Sequence, residues 1–127
     1  MRIKLSSVYV DDQDKALKFY TEVLGFVKKR EIPLGKAKWL TVVSPEEPEG
    51  TELLLEPDHN PAAKAFKKAL FEQGIPLTAF AVDDIQAVYD RMLKLGVTFR
   101  MKPTKAGGPA IAVFDDTCGN YIQIYQA

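Results

Sequence analysis

One pattern occurs twice in this chain, and that constrains its fold more than any other feature. Val10-Asp11-Asp12, a helical stretch and Gly25 make the first occurrence; Val82-Asp83-Asp84, a helical stretch and Gly96 make the second. Fifteen positions separate Val10 from Gly25 and fourteen separate Val82 from Gly96, so the two match with one deletion. A repeat of about half the chain length implies two similar modules. The concave surface between two half-sheets is where such a body holds a ligand.

With 127 residues, 46% of them apolar, the chain suits one packed domain of residues 1–127. Lys+Arg and Asp+Glu each number 17, so no net field draws in nucleic acid or an anionic membrane. No apolar run approaches the roughly 20 residues that span a bilayer. A single cysteine allows no internal disulfide, and a cytoplasmic location is the expectation.

Periodicity and turn chemistry predict β-α-β-β-β, a connecting helix, then β-α-β-β-β. Ile3 to Val10 reads as a buried strand, Asp12 as an N-cap and Gly25 as the left-handed residue that ends the first helix. Strands follow over Phe26 to Glu31, Trp39 to Val43 and Thr51 to Glu56, with a turn at Pro33 to Gly35. The connecting helix runs from about 60 to 74, with Ala63, Phe66, Leu70 and Phe71 on its apolar stripe. The second module has strands over Leu77 to Val82, Val97 to Met101, Ala110 to Phe114 and Tyr121 to Tyr125. Its helix, Asp84 to Leu95, turns Val88, Met92 and Leu95 inward. The modules are thus about 1–57 and about 76–127, an α+β arrangement.

Four landmarks occur in order: Val10-Asp11-Asp12 through Phe19-Tyr20; Val23-Leu24-Gly25-Phe26; Phe80-Ala81-Val82-Asp83-Asp84; and Asp115-Asp116-Thr117-Cys118-Gly119-Asn120 with Tyr121-Ile122-Gln123-Ile124. In these the chain resembles the vicinal oxygen chelate superfamily of glyoxalase I, bleomycin and fosfomycin resistance proteins and extradiol dioxygenases. The resemblance implies two βαβββ modules in tandem, with curved mixed sheets around a cavity, the glyoxalase/bleomycin resistance-like fold. It also implies a homodimer.

Enzymes of that family hold a divalent metal through His or Glu on inward strand positions. Carried over residue by residue, those positions fall on Leu5, Leu77 and Gln123, with the fourth on Leu54 by the internal repeat or on Glu56 by a shifted alignment. Leucine offers no lone pair and a neutral amide is a poor ligand, so no metal and no other cofactor is expected.

The candidate pocket residues are Leu5, Ser7, Trp39, Leu54, Glu56, Leu77, Tyr121 and Gln123, with Tyr9 sharing the face of Leu5 and Ser7. Trp39 can stack a flat ligand or cap the core. Glu56 is a candidate general base or ligand anchor, while Glu52 reads as water-facing. His59, the only histidine, suits a surface loop better than catalysis, and Cys118 has no second histidine to activate it.

Two functions remain open. One is a metal-free binder holding a small, partly apolar molecule between apolar walls. The other is a divalent-metal-dependent lyase, isomerase or dioxygenase with a rearranged site in which Glu56 is the base.

Overall fold

The computed structural model of the chain describes residues 1–127. Two compact units divide within the connecting helix, Met1–Ala65 and Phe66–Ala127. Each carries one four-stranded mixed sheet, and the two are tandem βαβββ modules.

In the first unit the strands are β1 (Leu5–Val10), β2 (Val27–Leu34), β3 (Ala37–Val43) and β4 (Glu52–Pro57), ordered β1-β4-β3-β2. β1 runs parallel to β4, with Ser7 opposite Leu54 and Tyr9 opposite Glu56. β3 is antiparallel to both neighbours, with Thr41 opposite Leu54 and also opposite Arg30. Strand alternation then sorts the side chains. Val8, Val10, Leu40, Val42 and Leu55, all nearly inaccessible, share the face covered by helix α1 (Gln13–Lys18). Burying a side chain of this size contributes roughly 1.5–3 kcal/mol. The opposite face carries Leu5, Ser7, Tyr9, Glu52, Leu54, Glu56, Trp39, Thr41, Arg30 and Ile32.

Asp12 caps α1 as expected, accepting from the Lys15 amide at 3.0 Å. The helix does not stay α-helical to its end. Phe19–Val23 form a π-helical turn, in which the Leu24 amide reaches back five residues to the Phe19 carbonyl at 3.1 Å. The turn buries Phe19 and Tyr20, and Tyr20 stacks near Phe26 with centroids 6.5 Å apart. Gly25 follows at φ +85°, a left-handed conformation that favours glycine.

The second unit contains most of α2 (Pro61–Glu72), with β5 (Thr78–Ala81), α3 (Ile85–Lys94), β6 (Phe99–Thr104), β7 (Ala110–Asp115) and β8 (Tyr121–Gln126). Its sheet order is β5-β8-β7-β6, with β5 parallel to β8. Asp84 caps α3 through the Ala87 amide at 3.1 Å, and Gly96 repeats φ +85°.

Several local expectations need correction. β1 begins at Leu5, and Leu5, Ser6 and Ser7 are exposed rather than buried, because β1 is an edge strand covered on its α1 side only from Val8 onward. Pro33 lies inside β2 and the turn falls on Gly35-Lys36. β6 likewise continues past Met101 through Pro103. Both prolines sit in edge strands, where a missing amide donor costs no ladder bond. Leu95 is the C-cap of α3 and half exposed, not inward. Phe66 is also half exposed, whereas Lys67 beside it is buried and donates to the Cys118 carbonyl at 2.7 Å.

Candidate functional site

The ladder between β3 and β4 is short. Its paired residues are Thr41–Leu54 and Val42–Leu53. The Gln13 side chain at the start of α1 joins the same two strands. Its amide nitrogen donates to the carbonyls of Lys38 and Leu55, each at 2.8 Å, and its oxygen accepts from the Lys38 amide at 3.1 Å. Backbone groups that a continuous ladder would satisfy are met by one side chain instead. By alternation Trp39 and Glu56 belong to the other face, that of Thr41 and Leu54.

That face carries one fixed polar cluster. Thr41, fully buried, donates from its hydroxyl to Glu52 Oε1 at 2.7 Å, and Arg30 Nε donates to the same oxygen at 2.9 Å. The Thr41 hydroxyl foremost, and then the Arg30 guanidinium, hold the Glu52 carboxyl below the usual glutamate range, against the opposing effect of burial. The expectation that Glu52 simply faces water is therefore corrected. Sequence reasoning missed Thr41 and Arg30 altogether. The strand alternation that put Glu52 with Leu54 also puts Thr41 and Arg30 beside them, once the strand order is known.

Around the cluster the face is apolar and accessible. Leu5 is 44% exposed, Ile32 49% and Leu34 56%, while Leu54 is buried. Ile32 lies directly opposite Trp39. Of the proposed pocket residues, the first unit thus brings Leu5, Ser7, Trp39, Leu54 and Glu56 onto one face.

The second unit places Tyr121 and Gln123 on one face of β8, with Ala79 opposite Gln123. The Leu77 amide donates to the Tyr121 carbonyl at 2.8 Å, so Leu77 extends the edge strand toward that residue. The Tyr121 ring is engaged. Phe71 of α2 stacks on it with centroids 4.3 Å apart and planes 4° from parallel, and the Arg100 guanidinium lies 5.3 Å from its centroid. A ligand reaching Tyr121 therefore meets this stack rather than a bare phenol.

The family's metal positions can be tested against these residues. Leu5 and Leu77 supply no donor atom, Gln123 supplies a neutral amide, and the fourth position falls on Leu54, which also has none, or on Glu56, a single carboxylate. No group of three or more His, Cys, Asp or Glu side chains is placed to hold a metal ion. The donor set does not fit a divalent cation. His59 is exposed, and Cys118 is fully buried within the Asp115–Asn120 turn. The buried Asp116 carboxylate organises that turn, accepting from the Cys118 amide at 2.8 Å and the Asn120 amide at 3.0 Å. No helix is long and apolar enough to cross a membrane.

Residues 2–124 match the family model described as Glyoxalase/Bleomycin resistance protein/Dioxygenase superfamily. The chain is 57% identical over 126 residues to the uncharacterized protein YurT of Bacillus subtilis (strain 168), with 99% of each covered. Among solved structures it resembles UcmS2, with a TM-score of 0.84 at 32% identity, covering 98% of this chain and 97% of that one. It also resembles TnmS3, an antibiotic binding protein from Streptomyces sp. CB03234, with a TM-score of 0.78 at 28% identity, covering 99% and 95%.

Proposed function

We propose, from the premise that the chain belongs to the Glyoxalase/Bleomycin resistance protein/Dioxygenase superfamily, that it binds a small molecule on the open face of its first sheet and needs no metal to do so. One observation carries this reading. The face combines an apolar, accessible surface of Leu5, Ile32 and Leu34, beside the half-buried Trp39, with a few polar groups held in fixed positions, while the family's ligand positions hold leucines and a glutamine, with Glu56 as the alternative at the fourth. Apolar walls with sparse orienting contacts are the usual composition of a small-molecule site. The likeness to TnmS3, whose description is that of an antibiotic binding protein, supports the same reading. Sequestration requires affinity alone, so the loss of metal ligands does not impair it.

A thermal-shift screen over aromatic antibiotics and metabolites tests the proposal. A ligand at one hundred times its Kd stabilises by about 2.7 kcal/mol, which for a chain of this size raises Tm by roughly 10 °C. Ile32→Asp places a charge on an accessible part of the face and should abolish the shift while leaving the unliganded protein folded. Ligand shifts that persist undiminished in Ile32→Asp would place binding elsewhere and refute the reading.

A further inference from the structure

The carboxylates of the first sheet are not used alike, and the difference describes a ligand. Three glutamates lie within its strands: Glu31, Glu52 and Glu56. Glu31 meets Lys28 at 3.2 Å and Lys38 at 3.3 Å, and Glu52 meets Arg30 at 2.9 Å. Lys29, the remaining cation of these strands, reaches Glu49 in the loop before β4 at 3.0 Å. Every basic side chain of the four strands is thereby engaged. The half-buried Glu56 carboxylate makes no hydrogen bond or ion pair within the chain. Drawing a carboxylate even partly out of water without a partner is costly, and a cation brought to Glu56 would relieve that cost.

The neighbours of Glu56 are aromatic. Tyr9 pairs with it across β1 and β4 and shares its face. On its other side β3 brings Trp39, which like Glu56 lies two residues beyond the Thr41–Leu54 pair on the same face. Gln13, reaching the strands from the α1 side, ties the two together. Its Nε2 donates to the Lys38 and Leu55 carbonyls at 2.8 Å each, so those oxygens are no more than twice that distance apart. Each carbonyl shares a rigid plane with the amide of the next residue, and the next residues are Trp39 and Glu56. The half-buried Trp39 indole stacks on no other ring and its N–H has no acceptor. Ile32, opposite Trp39 on β2, ends the row with accessible apolar surface.

The row thus reads aromatic, carboxylate, aromatic, aliphatic. The faces of tyrosine and tryptophan rings attract cations, and a carboxylate between them adds a charge-assisted hydrogen bond. Resting on the binding reading above, we infer that the ligand carries an ammonium group on an apolar body. The cation sits on Glu56 between Tyr9 and Trp39, and the body lies over Ile32. Gln13 is a positioning residue that fixes the peptide planes of Trp39 and Glu56 and does not touch the ligand. The Thr41–Glu52–Arg30 cluster, on the other side of the Thr41–Leu54 pair, carries its own countercharge and does not select the ligand's charge.

The experiment titrates the full chain with three naphthalenes of one shape: 1-naphthylmethylamine, a cation; 1-naphthalenemethanol, neutral; and 1-naphthoate, an anion. Trp39 is the only tryptophan, so one indole N–H resonance reports on the site without ambiguity. The amine should bind about tenfold more tightly than the alcohol, and the anion more weakly than either. Glu56→Gln should bring the amine down to the alcohol and leave the alcohol unchanged. Glu52→Gln, which removes the other carboxylate of the face, should keep the preference for the amine. Glu56 has no partner in the chain to lose, so its variant folds, and far-UV circular dichroism verifies it. Equal binding of the three probes, tightest binding of the anion, or a preference for the amine that survives Glu56→Gln overturns the inference and leaves the binding face standing. An indole resonance that none of the probes moves removes the face as a site, and the inference falls with it.

Discussion

The two sheets are built to one plan and finished differently. One row across the first sheet reads Ser7, Leu54, Thr41, Arg30; the matching row across the second reads Ala79, Gln123, Val113, Met101. Two residues before Leu54 stands Glu52, and two before Gln123 stands Tyr121. The polar cluster of the first module is thus replaced by apolar side chains in the second, with the one polar exception at Gln123. The helices differ as well. α3 is regular, whereas α1 passes into the π-helical turn. The caps Asp12 and Asp84 and the glycines Gly25 and Gly96 correspond, so the extra residue of the first module lies within its helix and is absorbed there. Single-residue insertions commonly take this form, often near functional sites. The duplicated framework has kept its ends and turns, and its faces have diverged; the Thr41–Glu52–Arg30 cluster lies on the first.

The largest expected effect concerns the ladders. β7 and β8 pair along their whole length, from Ala110–Gln126 to Asp115–Tyr121, and need no side chain to complete them. β3 and β4 depend on Gln13. Gln13→Leu removes three hydrogen bonds to partly buried backbone groups. At about 1 kcal/mol each, that lowers unfolding free energy by about 3 kcal/mol in urea denaturation. The corresponding residue after the second cap, Ile85, contributes by packing, and Ile85→Val should cost only about 0.5–1.5 kcal/mol. Equal losses at the two sites would break the comparison.

The glycines provide the control, since there the modules should behave alike. Gly25 and Gly96 share φ +85°, and a Cβ at either would meet nothing within 4 Å. Alanine at each therefore costs backbone strain alone, about 1–2 kcal/mol. The two variants should agree within the error of the denaturation measurement; a wide gap would show that one turn carries a contact the other lacks.

What was legible in the sequence divides along the same line. The caps, the terminating glycines and the strand count follow from local chemistry, and the sequence of elements could be read from them. The spacing of fifteen against fourteen was visible too, but a spacing does not say whether the shorter helix lost a residue or the longer one bulged. Gln13 resembles any polar residue in a first helical turn, and its role depends on two strands far along the chain. Lys67 reads as a surface cation and is buried because its aliphatic stem crosses the closing turn; a Cβ on Gly119 would stand 2.9 Å from its Nζ. Glu52 and Glu56 are equivalent by alternation, and only the strand order reveals that Glu52 has Thr41 and Arg30 beside it.

The smallest expected effect is electrostatic, and it separates the two faces most directly. Because the Thr41 hydroxyl and the Arg30 guanidinium depress the carboxyl of Glu52 in the folded chain, its contribution is present in full above the ordinary glutamate range. It is lost as pH falls from about 4.3 through the lower folded value, since below that both folded and unfolded chains bind the proton. Arg30 is half exposed, so solvent screening limits the contribution to about 0.5 kcal/mol. The wild type should therefore lose slightly more stability than Glu52→Gln between pH 5 and 3, measured by urea midpoints at matched ionic strength. Tyr121, at the corresponding place in the second sheet, has no carboxyl to titrate, and Tyr121→Phe should leave the acid limb of the curve unchanged. If Glu52→Gln instead follows the wild type throughout, the Thr41–Glu52–Arg30 cluster is not formed in solution, and the orientation of Arg30 loses its physical basis.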